Sequence, residues 1–508
     1  MEIVGNLLQG LSVALTPLHL LFCFIGVVAG MLIGALPGLG PSAGLAILLP
    51  ITVSVGDPTA GIILMAGIYY GAMYGGSITS VLLGVPGDPA SVMTVADGYP
   101  MAQQGRGGAA LGMCAIGSFI GGTICVILFT ILGPSLAKIA LTFGPPEYFS
   151  LMVLGLTLVA SFAEKTPIKA YTAALMGLFI STIGLDLVTG ASRFTFNQPK
   201  LYEGIDFIVV ALGLYGITEI LLAMEDDALS FKFDKKALSW RKLLPTMQDW
   251  ALTKWHILRS TFLGFTVGML PGSGATICTF ISYAYAKNAA PPERRALFGK
   301  GAIEGVTAPE TANNAASVAA FVPLLTLGVP GSGSTAVMMG ALLMFGLQPG
   351  PLLWENNPDF IWGLIGSMYV GNAMLLILST VCIPIFVRML EVPFPVLNSV
   401  VMSIIIVGGF SLGNNLFDVG MVLAFGLIGY CLRKMDYPAP PLILALVLGN
   451  TLENSLRQSL ILSSGSMGIF FARPVSCILM VGALSSIAWI VYKAVRGARK
   501  DAAALTES

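Results

Sequence analysis

Two stretches of this chain, 234 residues apart, carry the same order of glycine and proline inside apolar sequence. They are Gly30, Gly34, Pro37, Gly38 and Gly40 in the first half, and Gly264, Gly268, Pro271, Gly272 and Gly274 in the second. A broken helix is costly in hydrocarbon, and it persists only where protein or a water-filled cavity covers the free backbone groups. A matched pair of breaks, one in each half, indicates the binding site of a transporter built from internal repeats.

The composition places the chain in a lipid bilayer. Hydrophobic residues make up 56% of the 508 and charged residues 10%, whereas charged residues form about 25% of an ordinary soluble domain. The apolar segments predict an all-α polytopic fold with about eleven or twelve spanning helices, each of about 20 residues, and shorter re-entrant pieces. The net charge is zero and the Lys and Arg residues are dispersed, so we expect no nucleic acid partner.

Signatures of enzymes and of metal sites are missing from the sequence. The seven Cys residues stand singly in apolar surroundings, which predicts neither a disulfide framework nor a metal site. The two His residues, His19 and His256, lie at segment ends, and there is no HExxH motif and no Walker lysine. We therefore expect that the protein is not an enzyme and has no cofactor besides a coupling ion.

The repetition extends beyond one signature. The sequence LGVPG at residues 83–87 returns at residues 327–331, in the same order relative to the first signature. We predict a first membrane repeat at residues 18–224, a linker at 225–256, a second repeat at 257–460 and an extra helix at 475–492. The linker is rich in Lys and Arg, which predicts that it faces the cytoplasm. An odd number of spans in each copy would then make the two copies inverted.

The first pair of motifs is a candidate substrate site. Each ends a long apolar segment and begins a shorter one, which predicts a re-entrant hairpin followed by a half-helix whose N-terminus can bind an anion. The candidate substrate-binding residues are Pro37, Gly38, Gly40, Ser42, Pro271, Gly272, Ser273, Gly274 and Thr276. The alternative is a kink that only lets helices pack, because small residues are common at membrane helix interfaces.

The second pair of motifs is a candidate ion site. Broken backbone exposes carbonyl oxygens, which together with hydroxyl and amide oxygens are the ligands that Na+ accepts. The candidate ion-binding residues are Gly84, Pro86, Gly87, Ser91, Asn313, Asn314, Gly328, Pro330, Gly331, Ser332 and Ser334. The alternative for these motifs is a plain turn outside the membrane.

The segment that contains the two asparagines is unusually polar. If it is helical, Glu304, Thr307, Thr311 and Asn314 share one face, and Glu310 lies beside it with Asn313. An ionisable residue at the bilayer centre costs roughly 2.5 to 3.5 kcal/mol and indicates a functional site. A polar insertion, KNAAPPERRA at residues 287–296, lies just upstream. Glu304 at the membrane interface, with only the asparagines deep, is the equally open alternative.

Four blocks together resemble a known family. They are GMLIGALPGLGPSAG at residues 30–44, YGGSITSVLLGVPGDPAS at 74–91, GMLPGSGA at 268–275 and PETANNAASVAAFVPLLTLGVPGSGST at 309–335. They are similar to the large membrane subunit of the tripartite tricarboxylate transporters, TctA, over nearly the whole chain. The resemblance implies a multi-pass permease of the bacterial inner membrane that works with a small membrane subunit and a periplasmic solute-binding protein. It further implies import of citrate or related carboxylates with Na+ or H+.

The membrane potential supports ion coupling independently of the resemblance. A trianion that enters a negative interior against 100 mV faces about 7 kcal/mol, so cations must accompany it. A channel would require a continuous ring of like charge, which the sequence does not show. A channel and a membrane scaffold without transport are the alternative functions.

Overall fold

The computed structural model describes residues 2–36, 39–161, 167–186, 189–225, 245–270, 274–382 and 394–506. These ranges are almost entirely helical, apart from a short antiparallel pair of strands, β1 (Gly184–Leu185) and β2 (Ser192–Arg193). The predicted all-α polytopic membrane fold is confirmed. The chain divides into two compact units, which are described separately.

Six helices of the described ranges are long and apolar enough to cross a membrane. They are Pro17–Gly34, Pro58–Leu83, Gly107–Ala140, Pro358–Val381, Val396–Gly413 and Leu416–Lys434. Several of the other predicted spans are shorter apolar helices, as broken and re-entrant segments would be. The full count of about eleven or twelve spans stays a prediction.

The larger unit comprises residues 1–140, 207–270 and 274–431. Its first half contains α1 (Glu2–Ala14), α2 (Pro17–Gly34), α3 (Gly40–Ser54), α4 (Pro58–Leu83), a one-turn helix (Pro89–Ser91), α5 (Val92–Gln103) and α6 (Gly107–Ala140). The helix α9 (Phe207–Ala223) follows later in the chain. Helix α1 precedes the predicted first repeat and was not among the expected segments.

The second half of the larger unit repeats this order. It contains α10 (Met247–Gly268), α11 (Gly274–Ala289), α12 (Pro292–Arg295), α13 (Ile303–Ala319), α14 (Phe321–Leu327), α15 (Gly333–Met344), α16 (Pro351–Asn356), α17 (Pro358–Val381), α18 (Phe394–Gly413) and α19 (Leu416–Lys434). Helix α10 begins inside the range predicted as linker. Thr246 and Asp249 explain this start, because they form a capping box that satisfies free N–H groups of the first turn.

Matching glycines set the packing of the two copies. A methyl group on Gly30 of α2 would lie 2.8 Å from the Ile68 Cα of α4, and one on Gly264 of α10 would lie 3.1 Å from the Ala312 Cα of α13. These close approaches let α2 lie along α4 and α10 along α13. Because Ile68 and Ala312 are contacted in the same way, the structure aligns α4 with α13 at an offset of 244 residues.

Helices α4 and α13 run antiparallel where they meet. Ser77 contacts Glu310, and the Met73 carbonyl, one turn earlier in α4, accepts a hydrogen bond from Asn313, one turn later in α13. Equivalent helices that cross in opposite directions are what an inverted repeat requires. Every residue of α13 is buried, so its polar side chains lie in the protein interior and not on a lipid-facing surface.

The smaller unit comprises residues 141–206 and 432–508. Its helices are α7 (Pro145–Ser161), α8 (Pro167–Ser181), a one-turn helix (Pro199–Leu201), α20 (Ala439–Leu462), α21 (Ile469–Ala472) and α22 (Pro474–Thr506). Glu453 of α20 accepts from Arg193 at 2.9 Å and from Arg457 at 2.6 Å. Helix α22 includes the predicted extra helix and continues beyond it.

Candidate functional site

The two predicted ion-site motifs form the same backbone turn. Gly84 ends α4 with φ 71° and ψ 17°, and Gly328 ends α14 with φ 70° and ψ 24°; both are in the left-handed region that favours glycine. Four residues later, Asp88 and Ser332 are extended and cap the next helix. Each forms a capping box, Asp88 with Ser91 and Ser332 with Thr335. The motif therefore reverses the chain and starts a new helix in both copies.

The turn of the second copy contacts the broken helix of the first. The Ser42 hydroxyl of α3 lies 3.0 Å from the Ser334 hydroxyl of α15, and both residues are in the first turns of their helices. The reciprocal contact also exists, because α11 touches the one-turn helix at Pro89–Ser91. A candidate substrate residue of one copy thus meets a candidate ion residue of the other.

A buried carboxylate lies at the centre of the larger unit. Glu310 Oε2 accepts from the hydroxyls of Ser77 and, at 3.4 Å, of Thr94. Its Oε1 accepts from the Ser118 hydroxyl at 3.3 Å and from the Asn314 amide at 3.2 Å. These partners belong to α4, α5, α6 and α13, so one carboxylate joins four helices.

Asn314 and Asn313 are placed differently, although they are adjacent in sequence. The Asn314 amide donates to Ser118 at 2.7 Å as well as to Glu310. The Asn313 amide donates to the Met73 carbonyl at 3.4 Å, while its Oδ1 is buried and has no hydrogen-bond partner among the described residues. Asn314 therefore completes the Glu310 cluster, and Asn313 leaves one buried acceptor free.

The first pair of motifs is only partly described. Pro37, Gly38, Pro271, Gly272 and Ser273 lie outside the described residues. Gly40 begins α3 with φ 58°, and a methyl group on it would lie 3.7 Å from the Asp88 Cβ. The first break therefore lies beside the first turn motif.

The remaining first-motif residues lie in the second copy. Gly274 packs closely against the end of α10, since an added methyl group would lie 3.2 Å from the Gly268 Cα. Thr276 is half-buried in the first turn of α11. Both residues stay candidates for the substrate site.

Several second-motif residues have backbone roles. A methyl group on Gly87 would lie 2.5 Å from the Gly76 Cα, and one on Gly331 would lie 3.2 Å from the Ala320 Cα. Because these glycines have no side chain, the segment that follows each turn can pack directly against the preceding helix. Pro86 is half-buried and Pro330 is buried, each directly before one of these glycines. Ser91, fully buried, completes the Asp88 cap.

Four residues of this polar interior are not among the residues that the sequence predicts for the site: Asp88, Glu310, Ser77 and Ser118. Asp88 lies within the GVPGDPAS motif, and a carboxylate inside an apolar break was the signal that could have found it. The sequence places Glu310 beside the polar face of α13, but only the two asparagines of this helix are predicted ligands. Ser77 and Ser118 lie in apolar helices, where single hydroxyls carry no such signal.

Other buried carboxylates of the larger unit have structural partners. Asp97 Oδ1 accepts from the backbone N–H groups of Gly299, Gly301 and Ala302, each at 2.8 Å, and its Oδ2 accepts from the Tyr283 hydroxyl. These bonds attach the loop between the polar insertion and α13, together with Tyr283 of α11, to α5 of the first copy. They satisfy backbone N–H groups of the loop that leads into α13.

These features define a polytopic membrane protein whose polar interior is built around chain breaks. A sequence model of the family described as "Tripartite tricarboxylate transporter TctA family" matches residues 20–444. The chain therefore belongs to this family, as the resemblance of its four blocks indicated, and is a large membrane subunit of a transporter.

Two curated relatives carry no assigned function. An uncharacterized 52.8 kDa protein of the TAR-I ttuC' 3' region of Agrobacterium vitis is 40% identical over 98% of both chains. An uncharacterized protein of the TAR-II ttuC' 3' region of the same organism is 38% identical over 46% of this chain and 97% of its own length. No solved structure matches the chain.

Proposed function

We propose that this protein is the large permease subunit of a binding-protein-dependent secondary transporter in the bacterial inner membrane. It would import citrate-like tricarboxylates, or related carboxylate anions, together with Na+ or H+. Its partners would be a small membrane subunit and a periplasmic solute-binding protein. The observation that carries the proposal is the contact between Ser42 and Ser334, which joins the N-terminal turns of two helices from the two copies.

The anion would bind where α3 and α15 begin. The first turn of a helix carries N–H groups without helical partners and about half a positive charge. Two such turns lie together at Ser42 and Ser334, whose hydroxyls can donate to a carboxylate. A substrate with several carboxylates could engage both turns at once, which favours a tricarboxylate over a neutral solute.

The coupling cation would be attracted by the carboxylates of the same interior. Glu310 is held by hydroxyl and amide groups, and no Lys or Arg pairs with it in the described part of the chain. Asp88 caps a helix beside the first break. Carboxylate, hydroxyl and amide oxygens suit small hard cations. Negative charge next to an anion site favours substrate entry only when cations bind too.

Uptake of radiolabelled citrate by proteoliposomes tests the proposal. The vesicles contain the full chain with its small membrane subunit, and the binding protein is added outside. We expect accumulation above equilibrium with an inward Na+ or proton gradient, and none without the binding protein. Uptake without either gradient would indicate a channel, and no uptake under any condition would indicate a scaffold; both results would refute the proposal.

Serine variants localise the substrate site. Ser334→Ala should raise the apparent KM for citrate by about tenfold, because one hydroxyl donor to the carboxylate is lost. Ser403→Ala is the matched control, since that hydroxyl is exposed and donates to the Ser399 carbonyl of its own helix. Equal KM values for the two variants would remove Ser334 from the site.

A further inference from the structure

We propose that Asp88 and Asn313 hold the coupling cation, Na+, between the two copies. The inference rests on the proposed function and deepens it, because it names the cation and two of its ligands. It comes from two contacts between the copies that are related by the internal repeat but are made by different side chains. One contact is satisfied by a hydrogen bond within the protein, and the other lacks a donor.

The equivalence follows from the 244-residue offset that relates the second motifs. The offset relates Gly84 to Gly328 and Asp88 to Ser332, and the turns have matching backbone angles. Applied to the preceding helices, the same offset relates Tyr69 of α4 to Asn313 of α13. The packing of α2 on α4 and of α10 on α13 fixes this register independently.

In one of the two contacts the partners are Tyr69 and Ser332. The Tyr69 hydroxyl lies 3.2 Å from the Ser332 hydroxyl, and either oxygen can donate. The helix α4 of the first copy thereby touches the turn of the second. Because both groups carry a proton, the contact needs no further ligand.

The equivalent contact pairs Asn313 with Asp88. Helix α13, which carries Asn313, touches the one-turn helix that Asp88 caps, just as α4 touches α15. A methyl group on Gly76 of α4 would lie 3.2 Å from the Asp88 Oδ1, and Gly76 is one turn from Met73, whose carbonyl accepts from Asn313. Asp88 and Asn313 therefore face the same space between the copies.

The chemistry of this second pair requires a cation. The Asn313 amide nitrogen is already bound to the Met73 carbonyl, and its Oδ1 is buried without a donor. Asp88 Oδ1 accepts from the Ser91 amide at 2.9 Å, so an ionised Asp88 adds only acceptor capacity. Buried acceptors that face one another are unfavourable unless a positive group lies between them.

Na+ fits this pair better than a proton does. A proton on Asp88 would satisfy Asn313 only through a direct hydrogen bond, and Asn313 Oδ1 has no hydrogen-bond partner among the described residues. A metal ion that lies between two oxygens bridges a wider gap. Carboxylate and amide oxygens, with backbone carbonyls, form the hard oxygen set that alkali and alkaline-earth cations bind.

Binding of radioactive sodium to the purified full chain in nanodiscs tests the site without transport. Asp88→Ser gives Asp88 the side chain of its counterpart Ser332, so the helix cap is kept and only the charge is lost. We expect saturable binding to the unmodified chain. Asp88→Ser should weaken it by at least about tenfold, and Asn313→Ala by about threefold or more.

Tyr69→Phe is the matched control, because it removes one hydroxyl from the equivalent contact and leaves Asp88 and Asn313 intact. It should change sodium affinity by less than about twofold. A second readout is the Na+-dependent rise in thermal stability, which follows site occupancy. This rise should be lost in Asp88→Ser and kept in Tyr69→Phe. Size-exclusion elution of each variant as a single species shows that folding is kept.

Several results would overturn the assignment. They are unchanged sodium binding in Asp88→Ser, an equal loss in Tyr69→Phe, and no sodium binding at all while a proton gradient drives citrate uptake. The last result would leave the proposed transport function intact and replace the cation. Conversely, Asp88-dependent sodium binding in a chain that transports nothing would support the site and refute the transport function.

Discussion

Two glutamates on α13, Glu304 and Glu310, are both buried but are held by different groups. Glu304 accepts from Nε of the Arg294 guanidinium at 2.9 Å and from its Nη2 at 2.5 Å. Glu310, almost two turns further along, is held by three hydroxyls and the Asn314 amide. The two residues are of the same type, lie on the same helix and are similarly buried, but their hydrogen-bond partners differ.

From this difference we predict a structural role for Glu304 and a role in transport for Glu310. A bidentate guanidinium pairs with Glu304 and ties the polar insertion to the start of α13. Hydroxyls can either donate or accept, so the partners of Glu310 can adjust when its charge is neutralised by a proton or balanced by a cation. We therefore expect changes at Glu310 to alter transport and changes at Glu304 to alter stability.

The largest expected effect is that of Glu310→Gln. The substitution keeps the shape of the side chain and removes its charge, while the surrounding hydroxyls can turn to accept from the new amide. Citrate uptake per folded molecule should fall by about 100-fold or more. Initial rates in proteoliposomes, normalised to protein that elutes as a single species, measure this effect. Uptake at the rate of the unmodified chain would show that the charge of Glu310 is not needed for transport.

Glu304→Gln should affect stability and leave transport per folded molecule unchanged. It leaves the half-buried Arg294 without its carboxylate, which should lower the free energy of unfolding by about 2 kcal/mol. The loss is below that of a fully buried pair, because 31% of the Arg294 side chain is exposed. Chemical denaturation in detergent measures the loss. A fall in uptake as large as that of Glu310→Gln would show that both glutamates serve transport.

Asn314→Ala tests whether the hydrogen-bond partners of Glu310 contribute to transport. It removes the donor to Glu310 Oε1 and to Ser118, while the Ser118 hydroxyl still reaches the carboxylate. Uptake should fall by about tenfold, less than for Glu310→Gln. Thr311→Ala, whose hydroxyl bonds the Thr307 carbonyl of its own helix, is the control and should transport normally. Equal losses in both variants would assign the effect to helix packing.

The smallest expected effect concerns a second arginine-paired carboxylate, Asp249, in the first turn of α10. Burial opposes its ionisation, but hydrogen bonds from Thr246 and Arg106 outweigh this and lower its pKa. A lowered pKa contributes stability above the unfolded value, about 4, that is lost as the pH falls through the folded value. Asp249→Asn should cost less than about 1 kcal/mol at pH 7, since Arg106 is largely exposed.

Thermal unfolding at several pH values checks this effect. The difference between Asp249→Asn and the unmodified chain should shrink as the medium becomes acidic, and high salt should reduce it as well. A difference that persists unchanged at low pH would mean that Asp249 stabilises through its shape and not through its charge.

Much of the fold could be predicted because it depends on local sequence. Apolar composition predicts membrane helices, and the glycine and proline motifs predict where they break. The turns at Gly84 and Gly328 followed from residues within a few positions of one another. The repeat was also visible, because an identical local pattern needs no knowledge of what it contacts.

Contacts between the copies could not be predicted in the same way. The first motifs recur after 234 residues and the second after 244, since the insertion lies between them. The sequence therefore does not show which residue of one copy faces which residue of the other. Ser42 and Ser334 were both selected, but for different sites, and only the packed helices bring their hydroxyls together.

The sequence by itself determined a polytopic helical protein with two similar halves, breaks in each half and a polar segment around Asn313. Hydrophobicity and backbone geometry act over a few residues, so they leave a readable pattern. Only the tertiary structure decided that Glu304 pairs with Arg294, that Glu310 is held by hydroxyls, and that α13 contacts the one-turn helix that Asp88 caps. The charge and hydrogen-bonding state of a buried side chain depends on partners from distant helices, and the antiparallel crossing of α4 and α13 selects those partners.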